Sequence, residues 1–87
     1  MKQIDLNVLG KAIFENDNGL KHNLSFSQRD EIDYKLSHEI IDAIVKHLQD
    51  NKNKDALQKL LFNTLSLCYL NNLNLNNIFT INVHEEI

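Results

Sequence analysis

No proline and no tryptophan occur anywhere in this chain of 87 residues, glycine occurs twice and cysteine once. The two glycines, Gly10 and Gly19, lie far apart, so no glycine-rich loop is present to cradle a phosphate. Cys68 has no second cysteine to pair with, so nothing requires an oxidising compartment. It falls within an apolar stripe, where a small core role suits it better than that of a reactive thiol. The histidines, His22, His38, His47 and His84, lack partners at zinc-ligand spacing, and no Gly-x-Ser-x-Gly elbow presents a nucleophile. No segment approaches the roughly 18 apolar residues of a membrane span. Asp5 interrupts the N-terminal stretch where a secretory leader would need an unbroken apolar run, so the expected location is the cytoplasm. No catalytic, metal or cofactor site emerges.

Twelve acidic residues against nine basic ones give a formal charge of −3. Binding to a phosphate backbone is carried mostly by clustered Lys and Arg, so a nucleic-acid partner is not expected and a basic protein partner suits the chain better. Asparagine is abundant, and with proline and tryptophan missing this looks like an AT-rich gene of mobile bacterial or phage origin. The length allows one domain, residues 1–87, with a single core but no deep enclosed pocket beside it.

What is present is helical periodicity. Leu36, Ile40, Ile41, Ile44, Val45 and Leu48 form one stripe, and Leu57, Leu60, Leu61, Thr64, Leu65 and Cys68 another. The i, i+3/i+4, i+7 spacing puts each set on one helix face. The chain is therefore expected to be all-α, a small bundle of three to four helices around one long antiparallel pair joined at Asp50–Lys54. Leu36, Ile40, Ile44, Leu57, Leu61 and Leu65 are the expected core. Asp5 or Asn7 is placed to cap a first helix that ends near Gly19. Ser27 is the expected cap of a second helix over Gln28–Leu48, with Asp30 and Glu31 in its first turn. Asp55 is the expected cap of a third, ending at Leu70 or Asn71. Phe62, Leu67, Tyr69 and Leu70 make that helix apolar on more than one side, so it needs cover from within the chain or from a second subunit. Asn74 can cap a short final helix, yet Phe79, Ile81 and Val83 alternate like a strand and Ile4, Leu6 and Val8 do likewise, which leaves a terminal β-ribbon open.

Between Asp30 and Asp42 the carboxylates Asp30, Glu31, Asp33, Glu39 and Asp42 are opposed only by Lys35. Such a row is either an ordinary solvated face or a negative surface that steers a basic partner. On the second reading Asp30, Glu31, Asp33, Glu39 and Asp42 are the partner-binding residues, with Tyr34 or Phe26 as the aromatic anchor.

Two resemblances bear on function. Lys35-Leu36-Ser37-His38-Glu39-Ile40-Ile41-Asp42-Ala43-Ile44, with Leu60–Leu67 and Leu73-Asn74-Leu75, resembles the helical core of the all-α nucleotide pyrophosphohydrolases of the MazG and phosphoribosyl-ATP pyrophosphatase type. That family holds Mg²⁺ with one acidic pair on each of two helices. Glu39 and Asp42 match the first pair, but Ala56 and Lys59 stand where the second should be, which implies a degenerate, self-associating nucleotide-binding or regulatory protein. In length, charge, composition and the acidic helix Asp30–Asp42, the chain resembles bacterial immunity proteins and antitoxins. That resemblance implies a non-enzymatic inhibitor that covers the active or substrate-binding surface of a basic toxin, such as a nuclease. A nucleic-acid mimic would share the acidic surface.

Overall fold

The computed structural model describes residues 5–78, which form an all-α bundle without a strand among them. Its elements are α1 (Leu6–Asn18), a 3₁₀ turn at Lys21–Asn23, α2 (Phe26–Gln49), α3 (Lys54–Leu70) and a short α4 (Leu75–Ile78). No helix is long and apolar enough to cross a membrane among the described residues.

Side-chain caps set the boundaries. Asp5 accepts from the Asn7 amide at 2.9 Å and starts α1. Gly19 ends that helix at φ 78°, a value that side-chain-bearing residues resist. The second helix starts two residues before the expected position: Ser25, not Ser27, is the cap. Ser25 Oγ accepts from the Gln28 amide, and Gln28 Oε1 accepts from the Ser25 amide, closing a reciprocal box. Asp30 and Glu31 consequently lie beyond the first turn, where the helix dipole contributes little to them. The third helix is capped by Asn53, not Asp55, through a 3.1 Å bond from the Ala56 amide. Leu6 and Val8 lie inside α1 and so take no part in a ribbon. Ile4 and the alternating residues Phe79, Ile81 and Val83 lie outside the described residues.

α3 is the central element. α1 and α2 pack on different sides of it and scarcely touch each other. On the α1 side, Leu65, Cys68 and Leu75 form a buried cluster against Leu6, Leu9 and Ile13. Phe14 is fully buried, with its ring centroid 5.4 Å from that of Tyr69. Burial raises the pKa of the Cys68 thiol and so disfavours its reactive thiolate. Asn7 joins both chain ends of the bundle, accepting from the Leu75 amide at 2.8 Å and donating to Asn74 at 3.1 Å. The segment between α1 and α2 is clasped to the end of α3. Lys21 Nζ donates to the Tyr69 carbonyl and the Asn72 side chain while lying 4.2 Å over the Tyr69 ring. Desolvation, and then the neighbouring Arg29 charge, lower the Lys21 pKa.

The contact between α2 and α3 is where the expected core is corrected. Leu36 and Leu65 are buried as expected and Ile40 is half-buried. Ile44, Leu57 and Leu61 are exposed. The buried seam is instead built from Leu36, Ala43, Ala56, Asn63 and Leu70, which recur every seven residues on each helix. The row that interlocks with the neighbouring helix includes the small Ala43 and Ala56, and the row of large residues beside it is left outside the contact.

Candidate protein-docking face

The five carboxylates expected to act as one surface do different things. Glu39 is half-buried at the seam and accepts from Asn63 Nδ2 at 3.0 Å, satisfying an amide that would otherwise be buried unpaired. Asp33 accepts from Asn71 Nδ2 at 2.9 Å and so ties α2 to the end of α3. Asp42 is ion-paired with Lys46 at 3.0 Å, one turn along the same helix. Asp30 and Glu31 alone are exposed without a partner among the described residues. Tyr34 lies between them and the middle of the helix, exposed, its ring 4.3 Å from that of His38. The structure thus leaves Asp30, Glu31 and Tyr34 available at one end of α2. Asp33 and Glu39 are spent on packing.

Two shallow recesses lie on the other side of the helix pair. One, of about 310 Å³, is lined by Asp17, Glu39, Asp55, Gln58, Lys59, Phe62 and Asn63. The second, of about 340 Å³, is lined by Asp42, Ala43, Lys46, Asn53, Asp55, Ala56 and Lys59. Both are open and of mixed charge. Among the described residues no three His, Cys, Asp or Glu side chains come together as metal ligands.

The face opposite these recesses is apolar. Phe26, Asp30, Tyr34, Ser37 and Ile41 follow one another at i+3 or i+4 along α2, and Ile44 and Val45, side by side, each continue the row at that spacing from Ile41 to Leu48. The Glu39–Asn63 and Asp33–Asn71 bonds fix the antiparallel register, which puts Leu57 and Leu61 of α3 level with the Ile41–Leu48 part of that row. Leu48 is 78% exposed, Ile41 57%, Leu61 53% and Ile44 43%. On ordinary side-chain areas this strip presents roughly 600 Å², at the upper end of what the largest apolar patch on a monomer usually reaches. Polar groups rim it: Asp30 and Tyr34 at one end, Lys52 and Lys54 at the turn.

Ile44, Leu57 and Leu61, expected in the core, belong instead to this exposed strip. The signal lay in the width of the apolar arc on α2. Leu36, Ile40 and Ala43 occupy one row and Ile41, Ile44, Val45 and Leu48 the next. One neighbouring helix covers one such row, not two. No protein-family model, curated protein or solved structure matches the chain.

Proposed function

We propose that this chain is a non-enzymatic protein-binding module, an inhibitor of the immunity or antitoxin type that neutralises a basic toxin by covering its active or substrate-binding surface. The observation that carries the reading is the outer face of α2 and α3, where the Ile41–Leu48 strip, Leu57 and Leu61 stand exposed beside the free carboxylates Asp30 and Glu31. An apolar centre flanked by charge and an exposed tyrosine has the composition of a protein interface. The partner's Lys and Arg pair with Asp30 and Glu31, which speeds encounter, while its apolar surface covers the strip. No hydrolytic step belongs to this reading. Glu39, which a pyrophosphohydrolase would turn toward Mg²⁺, is bonded to Asn63, and Ala56 is buried in the seam.

The test is capture of a basic protein from the native host by the tagged chain, followed by association kinetics with that purified protein as salt is varied. Reversing Asp30 and Glu31 to Lys together is expected to slow association most at low ionic strength and to flatten its salt dependence, with the far-UV helical signal unchanged. If rate and salt slope both match the parent's, the acidic end of α2 is solvated surface and the reading loses its electrostatic half.

A further inference from the structure

We propose that, in the free protein, the exposed face of α2 is covered by a second copy of the same chain, in an isologous antiparallel pair centred on Ile41. This rests on the reading of that face as a protein-docking surface and names its occupant before a toxin arrives.

The order of residues along the row favours this pairing. A two-fold axis at Ile41 sets each position against the one equally far on the other side. Tyr34, seven residues before Ile41, meets Leu48, seven after it, and both are among the most exposed large side chains of the molecule. Asp30, eleven before and about 16 Å from the axis at the helical rise, comes to the far end of the other copy's α2, where the turn beyond Gln49 carries Lys52. Ser37 meets Val45, small against branched. The row therefore meets its own reverse with the acid end of one α2 beside the basic turn of the other, ring against leucine inside, and isoleucine on isoleucine at the centre with His38 against Ile44 beside it. A parallel pairing would set Asp30 on Asp30 and Lys52 on Lys52.

The area agrees. Two strips of roughly 600 Å² each, with Tyr34 added, bury about 1,200–1,600 Å², within the size of a specific interface. The product is a bundle in which α2 and α3 of each copy present their outer rows to one another. The basic partner then displaces the second copy, so that dissociation precedes or accompanies capture.

Sedimentation equilibrium of the whole chain across low micromolar to about 100 µM tests this, with far-UV circular dichroism as the folding control. The parent is expected to sediment at twice the chain mass at the upper concentrations, and Ile41→Asp at the chain mass with its helical signal kept. Asp30→Lys is expected to weaken the pair at least tenfold, and adding Lys52→Asp to restore it, since the swap re-forms the same contact with the signs exchanged. A parent that is monomeric throughout overturns the pairing, as does a dimer in which the double swap behaves like Asp30→Lys alone. The captured basic protein separates the two readings. A monomeric parent that loses capture on Ile41→Asp refutes self-pairing and leaves the docking face standing. A monomeric parent whose capture is untouched by Ile41→Asp overturns both.

Discussion

Phe14→Ala is expected to be the most damaging single substitution, costing about 3–5 kcal/mol. The ring is fully buried between α1 and α3 and packs at a tilt against Tyr69. Removing it takes away the burial and leaves a cavity that two helices joined through one line of contacts close poorly. It also loosens the support of Tyr69, whose carbonyl holds the Lys21 ammonium. Total stabilities of small domains lie at about 5–15 kcal/mol, so a loss of this size removes a large share of the fold. A urea titration checks it: the midpoint is expected to fall steeply with the slope little changed. A loss under about 1 kcal/mol would mean that α1 is not docked on α3 as described.

Gly10→Val should be the next most damaging. A Cβ built at Gly10 falls 2.7 Å from the carbonyl oxygen of Leu65, a backbone atom that cannot swing aside. The close approach of α1 to α3 depends on the missing side chain. Alanine would gain about 1 kcal/mol of helix propensity over glycine and lose it to the clash, whereas valine adds bulk at the branch and regains less. Overpacking of this kind costs about 1–3 kcal/mol, and the valine variant is expected at the upper end. It should also open Cys68, which shares the cluster with Leu65, to alkylation by iodoacetamide under native conditions. A variant as stable as the parent, with Cys68 still protected, would place α1 further from α3.

The helices themselves were legible because each carries a local cause. Asp5 and Gly19 bracket α1, Asn74 accepts from the Asn76 amide at the start of α4, and the two stripes mark the long pair. The start of α2 was equally written in the chain as Ser25-x-x-Gln28, but the nearby Ser27 and its acidic neighbours are the louder signal. What local pattern does not carry is the choice between adjacent rows of one helix. Ile44 and Leu61 outrank Ala43 and Ala56 in hydrophobicity, yet the interlocking of the two helix surfaces decides which row faces inward, and it buries the alanines and leaves the large residues exposed. The carboxylates of the acidic row are divided among different contacts for a related reason. Asp33 and Glu39 are recruited by Asn71 and Asn63, partners on the next helix that no local pattern reveals.

The large apolar row of α2 lies outside the core, and the proposed function depends on that exposure. Its most direct test is urea unfolding of an Ile41→Gln/Leu48→Gln double variant, in protein dilute enough to be monomeric. Glutamine is a good helix former, so the change isolates burial from propensity. With both side chains more than half exposed, the variant is expected to unfold within about 1 kcal/mol of the parent, as surface substitutions do. A loss of about 3 kcal/mol or more would put the row inside the fold and contradict the account.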